Sequence, residues 1–132
     1  SATGEGVYLT QKDVRQIQLA KSAIHTGCRI LLKKAGLQGS DLDEIILSGA
    51  FGSYIHLGNA RLIGLIPHFE GTLTRSVGNG AGTGVQRALL NWQECQRSCE
   101  LAERITHVNL AAEPEFEQLY MQSMNFPLET PF

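Results

Sequence analysis

Two glycine-rich stretches are where this chain has residues suited to chemistry: Ser48-Gly49-Ala50-Phe51-Gly52 and Gly78-Asn79-Gly80-Ala81-Gly82-Thr83-Gly84. What they offer is bare backbone. Glycine admits positive φ and lets the main chain come close to a ligand. Backbone N–H groups, together with a helix start near Thr83 to Val85, can receive an anion such as a phosphate. Two familiar variants are excluded by spacing. The Walker pattern needs a lysine after its last glycine, and Val85 follows Gly84. Glycines at 78, 80, 82 and 84 do not meet the G-x-G-x-x-G spacing of a dinucleotide fold. Tight turns and close helix–strand packing are the alternative meaning of both stretches.

Other reactive residue types are scattered. His25, His56, His68 and His107 have no ligand spacing and read as structural or surface groups. Ser48 precedes a glycine turn, but no G-x-S-x-G elbow surrounds it. Cys28, Cys95 and Cys99 are an odd number, which does not suggest a disulfide framework. Cys95 and Cys99 are four apart and share a helix face; without further ligands they are expected to pack as small hydrophobes. Trp92 is expected in the core. Asn79 suits a left-handed φ.

The chain's 132 residues fit one domain, able to bury a core without disulfides or metal. A hydrophobic share of 42% and a charged share of 18% are those of a soluble globular protein. The net charge of −2, with no long basic run, argues against a nucleic-acid binder. No apolar stretch suits a membrane span, and no basic-then-apolar signal opens the chain. A reducing cytoplasm is the expected setting.

The elements that must carry the two turns follow from periodicity. Val7-Tyr8-Leu9 is a short β-prone run. Thr10 reads as an N-cap with Asp13 three residues on. Val14, Ile17, Ala20, Ile24, Cys28, Leu31 and Ala35 then form one apolar stripe of a long helix. Lys33 and Lys34 fall in its last turn, and Gly36 stops it. Gly27 inside that helix suggests close packing against another backbone. Glu44-Ile45-Ile46-Leu47-Ser48 reads as a strand covered on both faces, broken by Gly49 to Gly52. A short helix is expected over Asn59 to Leu65 and a second strand near Leu73 to Val77. Helices are expected over Thr83 to Trp92 and Gln93 to Ile105, and a third strand over His107 to Leu110. A last helix, with Pro114 in its first turn, presents Phe116, Leu119 and Tyr120. Such alternation predicts an α/β layer with parallel strands. Ligands bind such sheets beyond the carboxyl ends of the strands, where both glycine turns fall.

Ile46-Leu47-Ser48-Gly49-Ala50-Phe51-Gly52 resembles the adenosine motif of the actin, sugar-kinase and heat-shock ATPase clan, with Ala50 in place of the motif's second glycine. LTQKDVRQIQLAKSAIHTG (Leu9 to Gly27), ILSGAFGSYI (Ile46 to Ile55), SVGNGAGTG (Ser76 to Gly84) and PEFEQLYMQSMNFP (Pro114 to Pro127) together resemble the C-terminal end of the reductive activators of corrinoid-dependent enzymes. The resemblance implies a ribonuclease-H-like α/β fold, mostly parallel sheet with flanking helices. It implies that residues 7–132 are one C-terminal subdomain of a larger ATPase domain, behind a loop or cloning remnant at 1–6.

That family uses ATP and an iron–sulfur domain to return cob(II) corrinoid proteins to cob(I). By resemblance, Ser48, Gly49, Ala50, Phe51 and Gly52 face the adenosine of ATP or ADP. Gly80, Ala81, Gly82 and Thr83 face phosphate or ribose. Lys21, on the long helix, reads as a solvated helix lysine, with a contact to adenine or ribose as the alternative that the resemblance implies. Magnesium and the cluster are expected in the longer parent, the cluster outside these residues. The implied partner is the corrinoid protein of a methyltransferase system, with a homodimer left open. No catalytic residue, metal site, nucleic-acid partner or membrane is expected in the chain itself, and alone it is expected to be inactive. Alternatives are a fragment of a sugar or acid kinase of the same clan, and a non-catalytic module that docks the corrinoid protein.

Overall fold

The computed structural model describes residues 8–67 and 69–127; Val7, His68 and the expected loop at 1–6 lie outside them. Helix α1 is Gln11–Ala35. Its start is a reciprocal capping box. Thr10 Oγ1 accepts from the Asp13 N–H, and the Asp13 carboxylate accepts from the Thr10 N–H, so two otherwise orphaned donors are satisfied. Gly36, at φ 68°, ends the helix, and its N–H donates to Leu32 and Lys33 carbonyls.

A 3₁₀ turn at Gly39–Asp41 leads into strand β1, Glu44–Leu47. Helices α2 (Gly49–Tyr54) and α3 (Leu57–Leu62) follow, then strand β2, Leu73–Ser76. Helices α4 (Gly80–Leu90), α5 (Trp92–Arg104) and α6 (Phe116–Gln122) complete the described fold. The strands pair in parallel, Glu44 opposite Leu73 and Leu47 opposite Ser76. The architecture is therefore a small parallel sheet with flanking helices, as expected. Its core is Ala60, Leu65 and Ile66, packed against Ile45, Leu47, Ile55, Leu57 and Ile63. Alternate residues of β1 are thus anchored in the same core as the segment after α2, which holds the first glycine turn between two fixed ends. None of the described helices is long and apolar enough to cross a membrane.

Several expectations are corrected. No strand forms at His107 to Leu110: residues 105–109 are irregular, and Leu110–Ala112 is a 3₁₀ turn. Tyr8 and Leu9 are exposed and irregular rather than β. The strand does end before Gly49 as expected, but Gly49 to Gly52 is the first turn of helix α2 rather than a loop. Likewise the second glycine stretch is mostly the first turn of α4, which starts at Gly80 rather than Thr83. Pro114 lies before α6, not in it. The short helix is Leu57–Leu62, with His56 as N-cap, its Nδ1 accepting from the Asn59 N–H. Ile46 on β1 is half exposed, so only one face of that strand is covered among the described residues.

The largest correction concerns α1. The expected apolar stripe is exposed at Ile17, Ala20, Ile24, Leu31 and Ala35, while Lys21, Ser22, His25, Thr26, Gly27 and Ile30 are buried. The helix buries its polar, small-residue face. Long-range polar partners on α6 and the tail drive that choice, and periodicity alone does not register them. At Gly27 the close neighbour is a side chain, Leu110 Cδ1, rather than a backbone.

Trp92, Leu89 and Leu90 are exposed at the α4–α5 corner, and Cys99 is exposed too, so these are not core residues. Asn91 makes that corner. It ends α4, and its side chain accepts from the Gln93 N–H to cap α5. The Arg87–Glu94 ion pair spans the bend.

Helix α6 lies along α1. Phe116 and Tyr120 stack at 5.7 Å between ring centroids, and the Tyr120 hydroxyl donates to the Leu19 carbonyl. Ser123 Oγ lies 3.1 Å from His25 Nδ1 in a buried contact. Burial, helped by Arg29 and Lys21, lowers the His25 pKa from an ordinary 6.5 to about 4. The unfolded chain takes up a proton near 6.5, whereas the native state resists until about 4. The stability contributed by neutral His25 is therefore fully present above pH 6.5 and is lost as pH falls through that window. Thermal unfolding followed from pH 7 to 4 is expected to show a falling midpoint, and His25→Gln, which keeps a partner for Ser123, is expected to flatten the fall.

Candidate nucleotide site at the strand ends

Parallel pairing in this register brings both glycine turns to the same end of the sheet. The Val77 N–H donates to the Leu47 carbonyl at 2.9 Å, continuing the ladder one step past β2. Beyond it the Gly49 N–H donates to the Gly78 carbonyl at 2.6 Å. The Ser48 hydroxyl completes the join. It donates to the same Gly78 carbonyl at 3.3 Å and accepts the Gly80 N–H at 3.2 Å. A donor–acceptor group with no long side chain is what this gap admits, which explains a serine here in physical terms.

The glycines divide by what lies in front of them. Gly49 has φ 87°, and a Cβ there would meet nothing within 4 Å. Its backbone conformation demands glycine, and the space before it is open. A Cβ on Gly80 would run into Ser48 Oγ, and one on Gly82 would lie 2.6 Å from Asn79 Nδ2. A Cβ on Gly52 would sit 3.1 Å from the Leu47 backbone. Gly52, Gly80 and Gly82 are thus small because the protein's own groups press on them, whereas Gly49 and Gly84 border open space.

The first turn of α4 is partly capped from within. Asn79 Oδ1 accepts the Gly82 N–H at 3.0 Å, and the Asn79 carbonyl accepts both the Thr83 N–H and the Thr83 hydroxyl. Asn79 is therefore an N-cap at φ −79°, not a left-handed residue. With Gly80 also engaged by Ser48, the Ala81 N–H is left as the first-turn donor without a partner among the described residues. The helix macrodipole adds partial positive charge at the same place.

Of the expected site residues, the structure gathers Ser48 to Gly52 and Gly80 to Thr83 at one sheet edge. Lys21 is not brought to them. It is 2% exposed, and its Nζ donates to the Ser123 and Asn125 carbonyls, at 2.6 Å each. Burial also pulls its pKa below the usual lysine range. A contact from Lys21 to adenine or ribose would require giving up both bonds, and that expectation is withdrawn. Sequence reasoning did not anticipate Gly78 as the shared acceptor, because its role is a main-chain carbonyl. An open apolar hollow of about 360 Å³, lined among others by Cys28, Leu32, Leu42, Ile45 and Phe69, lies towards the other end of β1 and is not part of this edge. Among the described residues, no group of three or more His, Cys, Asp or Glu could hold a metal ion.

Comparison with known proteins fixes the family. Residues 1–131 match the model described as the C-terminal domain of RACo, the ASKHA domain. The chain belongs to this family. It is 51% identical to the corrinoid activation enzyme RamQ of Eubacterium limosum over 93% of this chain and 21% of that protein. It is 28% identical to the [Co(II) methylated amine-specific corrinoid protein] reductase of Methanosarcina barkeri, over 96% of this chain and 25% of that one. A solved reductive activator for corrinoid, iron–sulfur protein superposes with a TM-score of 0.79 at 29% identity, over 90% of this chain and 19% of that chain. The chain therefore spans about a fifth to a quarter of the length of the curated relatives it matches. As a RACo-type C-terminal domain it has the actin-like fold class that the glycine turns suggested.

Because Ser48 ties both turns together by exposed hydrogen bonds, Ser48→Ala is expected to cost about 0.5–1.5 kcal/mol, the net contribution of a typical hydrogen bond. Denaturant unfolding reads the loss, and faster amide exchange at Gly80 should accompany it.

Proposed function

We propose that this domain forms the nucleotide-facing C-terminal part of an ATP-dependent reductive activator that returns an inactive cob(II) corrinoid protein to cob(I). Membership of the RACo C-terminal family supports the reading, as do relatives described as a corrinoid activation enzyme and a corrinoid protein reductase. The observation that carries the nucleotide site is the open space before Gly49, at the end where both turns leave the sheet. Ser48 to Gly52 would take the adenosine side. Gly80 to Thr83, with the Ala81 N–H and the positive end of α4, would take the phosphate or ribose side.

When bound, ATP would supply binding and hydrolysis energy to shift a conformational equilibrium, which requires unequal affinity for the two states. This chain's own residues orient the nucleotide through main-chain groups. Electrons for cobalt would come from an iron–sulfur cluster elsewhere in the longer protein. The exposed apolar stripe of α1 and the exposed Leu89, Leu90 and Trp92 suit a domain whose remaining surface is covered by such a longer chain. The partner would be the corrinoid protein of a methyltransferase system. Three free cysteines fit a reducing cytoplasm.

The test is ATP calorimetry and corrinoid reduction with the full-length protein and its Gly49→Asp variant. The carboxylate would enter the open space that adenosine would occupy and crowd it, while Gly49→Ala controls for backbone strain alone. Gly49→Asp is expected to weaken ATP binding at least tenfold beyond Gly49→Ala and to slow activation in proportion. Absence of measurable ATP binding in the unaltered protein, with unimpaired activation by Gly49→Asp, overturns the proposal.

A further inference from the structure

Residues 110–127 run back along α1 and are fastened to it at successive points. Leu110 packs on Gly27. Glu113 and Glu115 pair with Lys34 and Lys33. Tyr120 reaches the Leu19 carbonyl, and Ser123 meets His25. At the far end the Lys21 ammonium takes the Ser123 and Asn125 carbonyls and lies 5.6 Å from the centroid of the Phe126 ring. The carbonyls after a helix's last turn have no intrahelical donor, and a cation is favoured there. Lys21 thus caps α6 from a different helix, and its buried charge is compensated by two hydrogen bonds and an aromatic face.

The strap does not stop at α1. Pro127 Cγ lies 2.8 Å from the position a Cβ on Gly64 would occupy, and Lys21 Nζ lies 3.6 Å from it. Gly64, at φ 72°, is the turn that follows α3 and leads into the core residues Leu65 and Ile66. Those residues pack against Ile45 and Leu47 of β1 and against Ile55, the residue after α2. A contiguous path therefore leads from the tail, through the Gly64 turn and the core, to the strand end that carries the first glycine turn.

We propose that Lys21 is a positioning residue: it closes residues 110–127 as a clasp that locks α1 to the Gly64 turn and holds the core segment supporting the first glycine turn. The clasp goes beyond the nucleotide reading, and its test does not use nucleotide. The measurement is amide hydrogen exchange on the full-length protein and its Lys21→Met and Lys21→Arg variants. Lys21→Met keeps the stem's length and removes the donors.

Exchange is expected to rise at least tenfold at residues 119–124 and also at residues 63–66, with residues 80–90 unchanged and Lys21→Arg recovering part of the protection. Pro127→Ala, which leaves α1 intact, serves as the second variant should Lys21→Met fail to fold, and is expected to loosen residues 63–66 as well. A rise confined to residues 119–124, or a uniform rise across the whole domain, overturns the proposal.

Discussion

The register of β1 on β2, with Leu47 opposite Ser76, decides where every main-chain group of the two glycine turns lies. Parallel strands leave the sheet at the same end, so two segments some thirty residues apart in sequence emerge side by side. The join is then made by small groups. One carbonyl, that of Gly78, accepts from the Gly49 N–H and the Ser48 hydroxyl, and the same hydroxyl accepts from Gly80. A shift of one residue in the pairing would move Ser48 away from Gly78 and turn Ile45 and Leu47 out of the core. Core burial and site geometry therefore impose one and the same register.

Once the turns are fixed, the division among their glycines has a physical meaning. Gly52, Gly80 and Gly82 are filled by Leu47, Ser48 and Asn79, so they serve the join itself. Gly49 alone combines a left-handed backbone with open space in the first turn, so there no group of the protein limits size. Much of the polar capacity of the α4 start is already used by Asn79 and Ser48. The donors left for an anion are few and belong to the main chain, which suits recognition by position more than by side-chain charge.

Local rules read well from the sequence where the interaction is local. Thr10 announces the helix start, Gly36 the helix end, and the apolar run Ile45 to Leu47 the strand. The turns were placed correctly at strand ends, but they read as loops because glycine's low helix propensity hid the helices that begin in them. Here capping by Asn79, and packing of Gly52 on the end of β1, outweigh propensity. The buried face of α1 was misread for another reason. Lys21, Ser22, His25 and Thr26 look like a solvated face, and only a partner a hundred residues away, at Ser123 and Asn125, makes it the inner one. Trp92 and the stripe from Ile17 to Ala35 read as core because apolar residues usually are. In the structure most of these side chains are exposed, and single exposed apolar residues are common enough that periodicity alone does not place them inside.

The central claim is that the two turns together form one nucleotide-facing edge. Photocrosslinking of the full-length protein with 8-azido-ATP, mapped by peptide mass spectrometry, addresses it most directly. Adducts are predicted within residues 48–54, suppressed by unlabelled ATP. ATP-competable adducts on other segments only, with residues 48–54 and 78–84 unlabelled, would contradict it.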